Sequence, residues 1–143
     1  MNVYADSSFL VSLYSLDVHS ARAAQTVLRS EPAIFLTPLT ELELTNALQL
    51  RAFRKEASAS EIRAARNELQ SHIDNGFFTP AAMPLTVYEV ARRIALRQSA
   101  AMGTRTLDIL HIASAILLRA EKFWTFDERQ AKLAEAVGFD TSP

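Results

Sequence analysis

Short apolar runs alternate along this chain with longer segments of helical spacing. Residues 2–5, Asn-Val-Tyr-Ala, form an apolar run ending at Asp6-Ser7-Ser8, the pattern of a strand that enters a helix N-terminus. Residues 19–29 have helical periodicity. Ala33-Ile34-Phe35-Leu36 reads as a second strand closed by Thr37-Pro38, and helices follow over residues 39–55 and 59–74. Asn75-Gly76 is a turn signal before a third strand at residues 77–79. Helices are predicted over 86–100 and 107–120, a fourth strand over 122–126, a helix over 127–137 and a short last strand over 138–140. Strands separated by helices predict an α/β fold: a single domain over residues 1–143 whose mainly parallel central sheet has four to five short strands flanked by helices. In such sheets ligands bind beyond the carboxyl ends of the strands. The first residue after each strand is therefore the place to look for chemistry.

Composition narrows the chemistry. The chain is 49% hydrophobic and 22% charged, which fits a globular protein and excludes a disordered one. It has no Cys, so disulfides and thiolate metal sites are ruled out, and its three His residues have no zinc-ligand spacing. No apolar run is long enough to span a bilayer, and the start of the chain lacks a signal-peptide pattern, so a cytoplasmic location without membrane contact is expected. The net charge of -1 excludes nucleic-acid binding by bulk charge. The charge is uneven, however. Residues 51–105 carry nine basic against five acidic groups, and twelve of the fifteen basic residues are Arg, so the central segment is expected to offer a basic surface for phosphate.

Four acids stand out. Asp6 and Asp127 each follow a predicted strand, and both also suit a helix N-cap. Asp108 begins an apolar helix, where the helix dipole favours it and the apolar surroundings otherwise penalise its charge. His111, one turn later on nearly the same face, reads as a packed or supporting group rather than a base or ligand. In the helix over 39–55, Leu39, Leu42, Leu50 and Phe53 define an apolar stripe. Glu43 falls about 40° from Leu39, inside that stripe with Asn46, whereas Glu41 falls about 200° away, toward solvent. Asp6, Glu43, Asp108 and Asp127 together would form an all-oxygen site suited to Mg²⁺ or Mn²⁺, since clustered carboxylates repel one another without a cation.

Val3-Tyr4-Ala5-Asp6-Ser7-Ser8, the segment 39–48 (Leu-Thr-Glu-Leu-Glu-Leu-Thr-Asn-Ala-Leu), the segment 107–115 (Leu-Asp-Ile-Leu-His-Ile-Ala-Ser-Ala) and Trp124-Thr125-Phe126-Asp127 resemble the successive motifs of PIN-domain nucleases. The resemblance is closest to VapC-type toxins of bacterial type II toxin–antitoxin systems, and covers nearly the whole chain in order. It implies a Mg²⁺- or Mn²⁺-dependent endoribonuclease with Asp6, Glu43, Asp108 and Asp127 as both catalytic and metal-binding residues, acting through water activated by the cation. Ser7, Asn46 and Thr125 would be supporting polar groups. It also implies an RNA substrate, a cognate antitoxin protein and a homodimer. One departure is that Arg129-Gln130 follow Glu128, where many members carry a further acid; a second, fully coordinated cation is thereby left unsupported. Two other readings remain open: a non-catalytic binding module of the same fold, and a phosphohydrolase of another α/β family. The latter expects a partner acid two residues after Asp6, where Ser8 stands.

Overall fold

A computed structural model describes residues 1–141. It is built on β1 (Asn2–Ala5), β2 (Ala33–Leu36), β3 (Phe78–Pro80) and β4 (Lys122–Trp124), in the order β3-β2-β1-β4. Every pairing is parallel, with Val3 opposite Ile34, Tyr4 opposite Phe123 and Ile34 opposite Phe78. β1 lies between two neighbours and under helices on both faces, and Val3, Tyr4 and Ala5 are fully buried. That double burial is why the strand reads as an unbroken apolar run rather than an alternating one.

Side chains alternate across the sheet, and each face has its own core. Val3 and Ala5 pack with residues of α1 (Ser7–Tyr14), α2 (Ser20–Ser30), α3 (Pro38–Phe53) and α4 (Ala59–Asp74), among them Phe9, Leu10, Leu44, Leu48, Ile62 and Leu69. Tyr4 points the other way, into a core shared by α5 (Val87–Ile94), α7 (Thr106–Leu117) and α8 (Glu128–Ala136). The expected sheet and flanking helices are thus present, with four strands.

Several local expectations need correction. The predicted helix over 86–100 is present as one continuous helical run but is not α throughout: α5 passes through a π-helical turn, Ala95–Ser99, into a short α6, Ala100–Met102, that ends at Gly103. Gly103 has φ 63°, a left-handed C-cap that favours glycine. Residues 138–140 form no strand; only one bridge, Lys122 to Asp140, extends the sheet there.

The helix over α3 exists, but turned. Its buried residues are Thr40, Leu44 and Leu48, whereas Leu42 and Phe53 are exposed. The core face therefore lies about 160° from the centre of the stripe read in the sequence. Both sides of α3 carry leucines, so periodicity alone does not choose between them. What decides is Thr40, whose hydroxyl is bonded by Tyr4 and Thr37 and so is not penalised by burial. Asn46, expected to face inward beside Glu43, is exposed.

The loop after α1 is tied to α3 by Arg51. Its guanidinium donates to the Ser15 carbonyl at 3.1 Å and to Asp17 at 2.5 Å. Burial alone would raise the Asp17 carboxyl, but bonds from Arg51, Ser12 and the His19 N–H outweigh it and hold the group below its ordinary 3.8. A depressed carboxyl contributes stability above its unfolded value and loses it as pH falls toward the native one. Arg51→Met is expected to lower stability near neutral pH by about 2 kcal/mol. The difference from wild type should shrink once pH falls below 3.8. Urea titrations of both proteins across pH 3 to 7 check this.

Candidate active site

β1 and β4 are adjacent and parallel, so Asp6 and Asp127 emerge at the same edge of the sheet. Asp108, in the first turn of α7, and Glu43, from α3, meet them there. The four acids line one cleft of about 380 Å³, together with Ser7, Ser8, Arg105, Thr106, Leu107 and His111.

Asp6 is the most enclosed of the four, with 5% of its surface exposed. It caps α1 by accepting from the Phe9 N–H at 3.1 Å. Ser8 donates to the same oxygen at 2.6 Å, and Thr125 donates to the other at 2.5 Å. Burial pushes this carboxyl above its ordinary value, while Ser8, Thr125, nearby His111 and the Phe9 N–H pull it down. A charge placed here is costly and gains from any cation that approaches. Thr125 also accepts from the Asp127 N–H at 3.0 Å, so one hydroxyl links two of the acids. Asp127 in turn caps α8 through the N–H groups of Arg129 and Gln130. Capping and cleft lining are therefore combined in Asp6 and in Asp127.

Arg105 reaches across the rim of the cleft. Its Nε donates to Asp108 at 2.9 Å and its Nη2 to Asp127 at 3.3 Å. Its own charge is favoured by Asp108 first, then by Asp127 and Glu43.

Glu43 reaches the cleft from the margin of the core face of α3 and is held by His111, whose Nε2 lies 2.5 Å from its Oε1. An ionised carboxylate can only accept, so Nε2 carries the proton. In the neutral ring Nδ1 then accepts from the Tyr4 hydroxyl at 2.7 Å. Burial pushes the Tyr4 phenol up to about 12, so it stays protonated. Thr40 completes the chain, 3.1 Å from Tyr4. Glu41 is exposed and lines a separate hollow with Arg66 and Gln70.

Among the described residues, no three His, Asp or Glu side chains converge closely enough to coordinate one ion as they stand. As they stand, Glu43 is held by His111, and Asp108 and Asp127 share Arg105. The donor chemistry nevertheless suits a hard cation. The four acids offer only oxygen ligands, and two of them already share one positive group, the Arg105 guanidinium.

The model of the PIN domain family matches residues 3–136. The chain belongs to the PIN-domain family. Solved structures share this fold at low sequence identity. VapC20 of Mycobacterium tuberculosis, described as a toxin that cleaves the sarcin–ricin loop, superposes with a TM-score of 0.69 at 17% identity, with 98% of each chain covered. PAE2754 of Pyrobaculum aerophilum gives 0.65 at 19% identity, covering 96% of this chain and 92% of that one. VapBC2 of Rickettsia felis, solved with a DNA fragment from its promoter, gives 0.65 at 11% identity over all of both chains. A comparison with curated proteins finds no match.

Within this PIN domain, the sequence reading had Ser7, Asn46 and Thr125 as supporting groups. Ser7 lines the cleft and Thr125 binds Asp6, but Asn46 does not reach the cleft. Ser8 was missed. It donates to Asp6 and also accepts from the Phe126 N–H at 2.9 Å. Arg105 was missed as well, although an Arg three residues before an Asp at a helix start is a legible ion-pair spacing. Of the central arginines, Arg51 is bound to Asp17 and Arg93 to Glu89, and Arg105 is the one that lines the cleft.

The hydroxyl of Tyr4 serves two buried partners. Tyr4→Phe leaves His111 Nδ1 and Thr40 without it, and a loss of about 1 to 3 kcal/mol is expected from urea denaturation. A loss below about 0.5 kcal/mol would show that the chain adds no stability.

Proposed function

We propose that this PIN domain is a divalent-cation-dependent endoribonuclease, the toxin of a toxin–antitoxin pair acting in the cytoplasm. The observation that carries this reading is that acids from four separate elements line one cleft at the carboxyl edge of the sheet. A structural role alone does not explain the gathering, because like charges brought together cost stability. Family membership supports nuclease chemistry. The fold shared with a sarcin–ricin-loop-cleaving toxin and with a VapBC complex supports RNA as substrate and an antitoxin as partner.

Asp6, Glu43, Asp108 and Asp127 would hold Mg²⁺ or Mn²⁺. When bound, the cation supplies charge neutralisation at the phosphate and acidification of water. The chain's own residues set up the rest. Ser8 and Thr125 fix both oxygens of Asp6. His111, itself aligned by Tyr4, fixes Glu43. Arg105 competes with a metal ion for Asp108 and Asp127, and once released can turn to a phosphate oxygen. A homodimer belongs to the same proposal. Leu42 and Phe53 leave apolar surface on α3 for a second copy. No helix among the described residues is long and apolar enough to cross a membrane.

Purified protein is expected to cleave RNA with Mg²⁺ or Mn²⁺ and to lose that activity in EDTA; undiminished cleavage in excess EDTA would rule out the mechanism. Asp6→Asn keeps capping ability and removes the charge, so it should stay folded and lose cleavage. Growth arrest on induction as strong as with the wild-type protein would return Asp6 to a capping role.

The two glutamates separate site from surface. Glu43→Gln should abolish cleavage and weaken the thermal shift produced by Mn²⁺. Glu41→Gln should leave cleavage within a few-fold of wild type and change stability by at most about 0.5 kcal/mol. Inactivation by Glu41→Gln with an active Glu43→Gln would overturn this assignment.

A further inference from the structure

A second cavity, of about 550 Å³, adjoins the acidic cleft, sharing Arg105 and Asp108 with it. One wall is residues 101–105; the other is α8, which contributes Arg129, Lys132 and Leu133. Arg129 and Lys132 stand one helical turn apart, so both project from the same side of α8. Both are exposed, and among the described residues neither side chain has an ion-pair or hydrogen-bond partner. Like charges at this spacing destabilise a helix slightly unless an anion joins them. The facing wall is a built structure. The π-helical turn at Ala95–Ser99 leads into it, Gly103 turns it, and a 2.5 Å hydrogen bond between Ser99 and Thr104 closes it. Such π turns are found frequently at functional sites.

An RNA strand with one phosphate at the four carboxylates carries further phosphates to either side. The carboxylates repel these, and a chain of net charge -1 offers no general attraction to offset that. Retention of the strand needs cations beside the cleft, and phosphate contacts of this kind set register rather than sequence. We propose that this cavity is an anion subsite for a backbone phosphate of single-stranded RNA, adjacent to the phosphate being cleaved, with Arg129 and Lys132 as its cations. The proposal rests on the ribonuclease reading and adds how the strand is gripped. The Arg129-Gln130 departure from the family pattern then marks a substrate contact.

The test is the double variant Arg129→Gln/Lys132→Gln, with Arg63→Gln/Arg92→Gln as a control of equal charge change on α4 and α5. Arg105 is left intact because its loss would disturb the carboxylates directly. Binding of a fluorescent single-stranded RNA oligonucleotide is followed by anisotropy in EDTA over a series of salt concentrations. The site variant is expected to bind at least ten-fold more weakly. Its plot of log affinity against log salt should be shallower by about 0.7 to 1.4, the change for one or two single-strand phosphate contacts. With Mn²⁺ it should show a raised KM, kcat within three-fold of wild type, and an unchanged Mn²⁺ thermal shift. Wild-type affinity and salt slope in the site variant overturn the subsite, as does an equal loss in the control. Wild-type protein that binds RNA but never cleaves it refutes the nuclease reading, while the subsite is still judged by the binding series.

Discussion

The constraint on which the rest depends is the carboxylate of Asp6, buried at the end of the inner strand β1. A charge in that position must be met by hydrogen bonds or a cation, or it becomes protonated. Ser8 and Thr125 meet it from two sides, and Thr125 then accepts from the Asp127 N–H. The same few bonds thus start α1, end β4 and set the first turn of α8. Satisfying one buried group joins distant parts of the chain at the edge where the other acids emerge.

Asp6 and Asp127 were legible in the sequence because a parallel sheet puts strand ends on one edge whatever else the fold does. Asp108 was legible because an acid opening an all-apolar helix needs a reason. Glu43 reaches the cleft, but not by the geometry read for it. The leucines on both sides of α3 left its rotation undetermined, and the buried Thr40 that fixes it looks polar in a sequence. Asn46 failed for the same reason. The π turn at Ala95–Ser99 gave no signal, since no Pro or Gly marks it. Charge counted by segment was a poor guide as well. The basic middle of the chain lends only Arg105 to the cleft, while Arg129 and Lys132 come from a stretch that is acidic on balance.

The electrostatics around the cleft are graded rather than uniform. Behind the acids, His111 and Tyr4 form a hydrogen-bonded backing that orients Glu43. In front, Arg105 balances Asp108 and Asp127, and beyond it lies the cavity with Arg129 and Lys132. A nearly neutral protein can therefore present adjoining negative and positive regions, an arrangement suited to a polyanion that must be both cleaved and held.

The pairing of β1 with β4 also bears on how the protein comes into being. Val3 pairs with Lys122 and Asp6 accepts from Thr125, contacts between opposite ends of the chain. Parallel pairing over such separations is slow to form, because the entropy of closing so large a loop is lost before the contact is gained. During synthesis β1 can pair with β2 early, but its other edge and the Asp6 carboxylate wait until nearly the whole chain has been made. The cleft is therefore among the last features to be completed, and a nascent or truncated chain that lacks β4 has no assembled site.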